Sequence, residues 1–121
     1  VLRDNDPSFE WKIALEFRHA SLYIEEVYEL LGEYGLGMVI HDKTPASSPL
    51  RESHSDFIYL RFHGPGGNYR GCYSEDVLYE YASYVSEWLS EDKMVFVYFN
   101  NTMGEAYANL NMLRKIVRDT Y

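Results

Sequence analysis

The segment that most constrains the fold of this chain is Phe57–Gly64, which reads FIYLRFHG. Its residues alternate, so a strand here places apolar side chains on one face and Tyr59, Arg61 and His63 on the other. A strand in an α/β sheet is normally apolar on both faces, because helices cover both. An arginine and a histidine near the end of such a strand therefore predict that one face looks into a polar site.

Extended segments alternate with amphipathic segments along the whole chain. We predict strands at Trp11–Arg18, Gly37–Asp42, Phe57–His63 and Met94–Asn100. We predict helices that begin at the N-caps Ser21 and Ser74 and at Thr102, because apolar residues recur at spacings of three and four after each. Gly35 is expected to end the first helix, and Lys43–Asp56, which contains two prolines and four serines, is expected to be a loop.

Strands that alternate with helices predict parallel pairing through right-handed crossovers. Two architectures accommodate this order, an open sheet covered by helices and one half of an eight-stranded barrel. In an open sheet, Glu16, Arg18 and Arg61 would be buried, at a cost of about several kcal/mol for each unpaired charge. In a barrel the same face lines an interior whose C-terminal mouth is open to solvent. The sequence thus predicts an α/β fold in which parallel βα units form about half of a TIM-type barrel, as a single domain over residues 1–121.

Composition limits the classes of partner. The net charge of −8 disfavours extended binding to nucleic acid or to anionic membranes, so any anion needs a local positive cluster. No segment approaches the roughly 18 consecutive apolar residues of a membrane span, and the polar start of the chain does not resemble a signal peptide. Cys72 is the only cysteine, which excludes an intramolecular disulfide and fits the expected cytoplasmic location.

Four motifs occur together in the chain: FRH at Phe17–His19, YLRFHG at Tyr59–Gly64, a Tyr-x-Gly-x-Tyr spacing at Tyr69–Tyr73, and FNNT at Phe99–Thr102, followed by Gly104, Ala106 and Asn109. Over residues 9–118 they resemble the YecE-like family, which carries a domain of unknown function, number 72. The resemblance implies a TIM-type barrel about twice this length, of which this chain is the C-terminal half, and it implies no particular activity. The segment His41–Lys43 departs from the family pattern, because the family tends to have a small residue before the aspartate and a serine after it.

Polar residues at the predicted strand ends are the main candidates for chemistry, because catalytic groups of such barrels come from the C-terminal ends of several strands. Arginine side chains suit carboxylate or phosphate, and a histidine exchanges protons near neutral pH. We therefore predict binding of a small anionic ligand such as a phosphoester, with Glu16 and His63 as catalytic residues that transfer protons. The predicted ligand-binding residues are Arg18, His19, Asp42, Arg61, Gly64, Tyr69, Tyr73, Asn100 and Asn101.

An alternative interpretation is a non-catalytic binding or assembly module. In it, the polar face is an internal lattice of ion pairs, with Glu16 bonded to Arg18 and Asp42 to Arg61. A half-barrel also leaves two outer strands with an unpaired edge, and unpaired edges recruit other strands. The missing N-terminal half or a second copy of the chain is therefore an expected partner.

Metal and cofactor binding have weaker support in the sequence. Ligand types are present at His19, His41, Asp42, His54, Asp56 and His63, but no close pair has the spacing of a zinc or EF-hand motif. We therefore predict no metal ligands, although ligands from separate strands remain an alternative, and the sequence points to no cofactor.

Overall fold

The structure is a computed structural model that describes residues 1–120. The elements follow the order β1 (Ala14–Leu15), α1 (Glu25–Glu33), β2 (Gly37–Met38), β3 (Ile40–His41), β4 (Phe57–Phe62), α2 (Glu75–Ser90), β5 (Met94–Phe99) and α3 (Ala106–Thr120). Each ladder is parallel: β1 pairs with β2, β3 with β4, and β4 with β5. The predicted α/β class with parallel strands is confirmed. Closure of the strands into half of a TIM-type barrel stays a prediction.

The larger hydrophobic core lies between one face of β4 and β5 and the two long helices. Ile58, Leu60 and Phe62 alternate onto this face and pack with buried side chains of α2 and α3, such as Leu78 and Leu113. The helix α2 begins where the sequence predicts, because the Oγ atom of Ser74 accepts a hydrogen bond from the Val77 N–H group at 3.4 Å.

A smaller core surrounds α1. It contains the buried residues Tyr28, Leu31, Leu36 and Met38, with partly buried side chains from the segment around β1 packed against them. Gly35 follows α1 with φ +61°, a left-handed conformation that favours glycine, as predicted for the end of this helix.

The first two strands are shorter than predicted. Of the predicted strand Trp11–Arg18, only Ala14–Leu15 is regular, and Gly37–Asp42 is divided into β2 and β3 at Val39. The reason is a change of partner: the Val39 N–H group bonds to the Leu15 carbonyl, whereas Ile40 and His41 lie beside β4. The chain from β2 to β3 therefore connects the two ladders.

Two predicted helix starts were wrong. Ile24, not Ser21, holds the N-cap position of α1, and it makes no side-chain cap hydrogen bond. Ser21 instead lies in a turn of 3-10 helix (Ala20–Leu22), where its N–H group bonds to His19 Nδ1. α3 begins at Ala106 and not at Thr102, because residues 102–105 form turns in which Met103 and Glu105 donate to the carbonyls of Tyr69 and Gly71. Within residues 1–120, no helix has the length and apolar character needed to cross a membrane.

Candidate functional site

Glu16 follows β1 directly and lies among basic side chains at the carboxyl ends of the strands. Its Oε2 atom accepts a hydrogen bond from Arg61 Nη1 at 2.6 Å, and its Oε1 atom lies 2.8 Å from His63 Nε2 and 3.2 Å from Arg18 Nη2. The Glu16 side chain is 11% exposed, whereas those of Arg61 and Arg18 are 32% and 50% exposed. A nearly buried carboxylate is thus held by two arginines that still reach solvent.

The ionisation of Glu16 follows from these contacts. Burial by itself raises the pKa of Glu16, but the hydrogen bonds from His63 and Arg61, with the charges of Arg61 and Arg18, outweigh burial and lower it. Glu16 is therefore a carboxylate at neutral pH.

His41, at the end of β3, has hydrogen-bond partners at both ring nitrogens. Its Nε2 atom lies 2.9 Å from the Phe17 carbonyl oxygen and 2.8 Å from the Tyr23 hydroxyl, and its Nδ1 atom accepts the Lys43 N–H group at 3.1 Å. Burial lowers the pKa of His41 more than the nearby Glu16 carboxylate raises it. His41 is therefore neutral at neutral pH, with the proton on Nε2.

His63, just after β4, is completely buried. Its backbone N–H group donates to Asp42 Oδ1 at 2.6 Å, which fixes the chain at this point. Its ring meets those of Tyr69 and His41 edge-on, at 5.4 and 5.9 Å between centroids. The Nδ1 atom of His63 has no hydrogen-bond partner among the residues that the structure describes.

Lys43 and Tyr69 lie at the edge of this group. The Lys43 Nζ atom lies 4.2 Å from the centroid of the Tyr69 ring and donates to the Gly67 carbonyl at 2.9 Å. Tyr69 has φ +67°, which strains a residue with a side chain, and its N–H and carbonyl groups are bonded to His63 and Met103. A hydrogen bond from Arg18 and the charge of Lys43 lower the pKa of the Tyr69 hydroxyl.

We call this group the mouth cluster. It consists of Glu16, Arg18, His41, Lys43, Arg61, His63 and Tyr69. Asn100 joins its edge, because its Oδ1 atom accepts a hydrogen bond from Arg61 Nε at 3.0 Å.

A cavity of about 390 Å³ opens beside the mouth cluster, on the face of the strands opposite to the helices. Glu16, Tyr59 and Arg61 line it together with Lys12 and Val39. The Tyr59 ring stacks on the Tyr98 ring at 4.9 Å between centroids, so the polar residues of β4 and β5 share this face.

Of the predicted site residues, Glu16, Arg18, Arg61, His63, Tyr69 and Asn100 come together in or beside the mouth cluster. The predicted pair of Glu16 with Arg18 is present, whereas Arg61 bonds to Glu16 and not to Asp42. The Arg61 side chain therefore belongs to the mouth cluster, and Asp42 bonds to other groups.

Other predicted ligand-binding residues bond inside the protein. The Tyr73 hydroxyl donates to Asp42 and accepts the Gly64 N–H group at 2.6 Å, and burial followed by Asp42 raises the pKa of Tyr73. Asn101 is fully buried and donates to the Gly71 carbonyl and to Asn109 Oδ1, both at 3.0 Å. These bonds hold the two loops that follow β4 and β5.

Two further assignments rest on local geometry. His19 is exposed, and its Nδ1 atom lies 2.7 Å from Ser21 Oγ. Gly64 has φ +109°, and a Cβ atom there would overlap the Arg70 carbonyl, so this glycine is required for the close approach of two segments of its loop.

His41 and Lys43 are not among the predicted catalytic or ligand-binding residues, although His41 is among the ligand types considered for a metal. A signal was present, because His41 lies near the end of the predicted strand Gly37–Asp42 and Lys43 follows it, just as His63 lies at the end of the predicted strand Phe57–His63. The register pairs His41 with Arg61, which puts the ends of β3 and β4 at the same level. The register itself could not be read from the sequence.

The family described as "Protein of unknown function DUF72" matches residues 2–121. Crystal structures of two DUF72 family proteins resemble the fold. TM1631 from Thermotoga maritima MSB8 is 29% identical with a TM-score of 0.67, and EF0366 from Enterococcus faecalis V583 is 24% identical with a TM-score of 0.77. Each alignment covers 97% of this chain but only 50% and 53% of those proteins, so the chain spans about half their length. None of the curated proteins matches it.

Proposed function

The chain belongs to the DUF72 family, whose function is unknown, and we propose that its mouth cluster binds a small anionic ligand such as a phosphate ester. The observation that carries this proposal is the pair of partly exposed arginines, Arg18 and Arg61, on a single nearly buried carboxylate. A guanidinium group has five N–H donors, and Glu16 and Asn100 use only some of them. The remaining donors suit the oxygens of a carboxylate or a phosphate.

Further positive charge supports the same ligand class. Lys43 lies beside Tyr69 at the edge of the cluster. The mouth cluster therefore contains three cationic side chains, Arg18, Lys43 and Arg61, in a chain with a net charge of −8. Such a local excess attracts an anion against the overall field of the protein.

Glu16 and His63 supply a means of proton transfer to the bound ligand. Their contact at 2.8 Å lets a proton pass between the buried imidazole and the carboxylate, and Glu16 is the member of the pair that reaches solvent. Because this pair can exchange a proton with the ligand, the activity that we prefer is an acid–base reaction on the bound anion.

The test is a binding titration of the chain with inorganic phosphate and with a simple phosphate monoester, followed by calorimetry and thermal shift. We expect Arg18→Ala to weaken binding by about tenfold or more, because a hydrogen bond to a charged group contributes about 1.5–3 kcal/mol. The matched control is Arg51→Ala, since Arg51 is also partly exposed and pairs with Glu25 outside the cluster. Equal binding by wild type and Arg18→Ala would contradict the proposal and favour the ion-pair lattice.

A second candidate function is assembly with the missing half of a barrel or with a second copy of the chain. It is favoured by the outer strands, because within residues 1–120 β1 pairs only with β2 and β5 only with β4. Met94 and Tyr98 on β5 are about half exposed. Sedimentation at micromolar concentration tests it, and a stable monomer would count against assembly of two copies.

A further inference from the structure

Three potential metal ligands of the mouth cluster converge from different strand ends. One ligand atom from each of Glu16, His41 and His63 lies within 4.8 Å of the other two. Glu16 Oε1 is 2.8 Å from His63 Nε2 and 3.6 Å from His41 Nδ1. In a tetrahedral zinc site, ligand atoms about 2.0–2.1 Å from the metal are about 3.3 Å from one another. We propose that Glu16, His41 and His63 bind one divalent transition metal ion, with zinc as the preferred ion.

The outer contacts of His41 suit a metal ligand. Its Nε2–H group points to the Phe17 carbonyl at 2.9 Å and to the Tyr23 hydroxyl, which fixes the tautomer and leaves the lone pair on Nδ1. A hydrogen bond from the outer nitrogen to a backbone carbonyl is the usual support of a metal-binding histidine. Metal binding displaces one donor from Nδ1, the Lys43 N–H group at 3.1 Å.

His63 can present a lone pair to the same point. Its Nδ1 atom is buried without a partner among residues 1–120, so Glu16 alone holds the proton on Nε2. When the proton moves to Nδ1, Nε2 becomes free to bind a metal, and the ring gives up only its bond to Glu16.

Glu16 is oriented for this role by Arg61. The arginine bonds to Oε2, so Oε1 is the oxygen that faces the two rings. Arg18 lies 3.2 Å from Oε1 but is half exposed, and its side chain has room to move towards solvent. Two histidines and one glutamate form a donor set that holds zinc and leaves the fourth position open.

Metal binding and anion binding would use different groups, because the ion is held by Glu16, His41 and His63, whereas the anion is held by the donors of Arg18, Arg61 and Lys43. With a metal bound, Glu16 and His63 hold the ion and no longer exchange a proton with the ligand. Arg18, Lys43 and the free donors of Arg61 still face an anion, which could then approach the open metal position. Each proposal can therefore fail without the other.

The test is a calorimetric titration with zinc chloride in phosphate-free buffer near pH 7. The chain has four histidines, and the other two, His19 and His54, are exposed. The double variant His19→Ala/His54→Ala is therefore a matched control that removes the surface histidines and keeps the proposed site. We expect it and the wild type to bind one zinc ion per chain with the same affinity.

Glu16→Gln and His63→Ala remove proposed ligands. We expect each to weaken zinc binding by about 100-fold or more, because even the outer partners of a metal ligand contribute about 10–100-fold. Since a buried variant can lose its fold, the imidazole ¹⁵N resonances of wild-type His41 and His63 provide a second measurement, and both should shift on addition of zinc. Loss of binding in the double variant, or unchanged resonances of His41 and His63, would overturn the proposal.

Discussion

The two ends of the chain are built differently. The C-terminal region, residues 57–120, contains two six-residue strands, two long helices and the larger core. The N-terminal region, residues 1–56, contains three two-residue strands, one nine-residue helix and the smaller core. The C-terminal region is stabilised mainly by buried apolar side chains, whereas the N-terminal region depends to a greater degree on polar contacts.

This difference accounts for the position of the mouth cluster. A long regular strand uses its backbone groups in the ladder, but the chain after β1 and β3 leaves the ladder early. The Phe17 carbonyl and the Lys43 N–H group are therefore free to bond to the His41 ring. The N-terminal region thus places Glu16, Arg18 and His41 beside Arg61, which lies on β4, and His63, which follows it.

The largest expected effect comes from opening a cavity in each core. Leu60→Ala, on the central strand of a ladder with neighbours on both sides, should cost about 4–5 kcal/mol of unfolding free energy, because the larger core cannot collapse around the cavity. Leu31→Ala, in the smaller core, should cost about 2–3 kcal/mol, because neighbouring partly exposed side chains can adjust.

Urea unfolding followed by circular dichroism measures both losses. The control is Leu30→Ala, which removes the same atoms from the residue next to Leu31 on α1, where the side chain is half exposed. It should change the free energy by about 0.5 kcal/mol or less. An equal or larger loss for Leu31→Ala than for Leu60→Ala would contradict the comparison of the two cores.

The difference between the C-terminal and N-terminal regions also explains which elements the sequence predicts well. The bounds of β4 and β5 and the start of α2 agree with prediction to within one residue, because apolar periodicity, the Ser74 cap and the turn residues all indicate the same elements. In the N-terminal region, apolar and polar residues do alternate in Trp11–Arg18, as predicted. The strands there are nevertheless short because the chain changes partner at Val39, which is a tertiary effect. Glu16, Arg61 and His63 could be selected as site residues by position, whereas the internal bonds of Asp42, Tyr73 and Asn101 depend on loop contacts far apart in sequence.

A smaller effect is expected from the helix caps, which also differ between the regions. Ser74→Ala should destabilise the protein by about 1 kcal/mol, because the Val77 N–H group loses its acceptor. Ile24 occupies the N-cap of α1 with extended backbone angles and no cap bond, so Ile24→Ser should stabilise it by up to about 1 kcal/mol. Thermal and urea unfolding measure both.

Ser83→Ala is the control for the caps, because Ser83 is an exposed serine inside α2 whose Oγ donates to the Glu80 carbonyl. Its replacement should be neutral or slightly stabilising, since alanine is the better helix former. If Ser74→Ala behaved like Ser83→Ala, the cap would not explain why α2 begins where the sequence predicts.

The smallest effect concerns acid pH and the polar contacts of the N-terminal region. Burial alone raises the pKa of Asp6, but hydrogen bonds from the Trp11 and Glu10 N–H groups, together with Arg3, outweigh burial and lower it. Arg3 in turn bonds to the carbonyls of Tyr34 and Gly35 at the end of α1. A lowered pKa in the folded state means that the contribution of Asp6 is complete above the ordinary value of 3.8 and is lost as the pH falls through the folded value.

The chain has one tryptophan in each region to report this loss. The backbone N–H group of Trp11 donates to Asp6, so the Trp11 indole lies next to this contact, and Trp88 is buried in the larger core. In ¹H–¹⁵N spectra recorded from about pH 6 to pH 2, the indole resonance of Trp11 should change before that of Trp88, because the N-terminal contacts open first. In Asp6→Asn the Trp11 resonance should already be shifted near pH 6 and should depend less on pH. Some dependence should remain, because the pKa of Glu16 is lowered as well. Simultaneous changes of both tryptophans in the wild type would mean that the two regions unfold as one unit, and that the polar contacts of the N-terminal region do not set its acid stability.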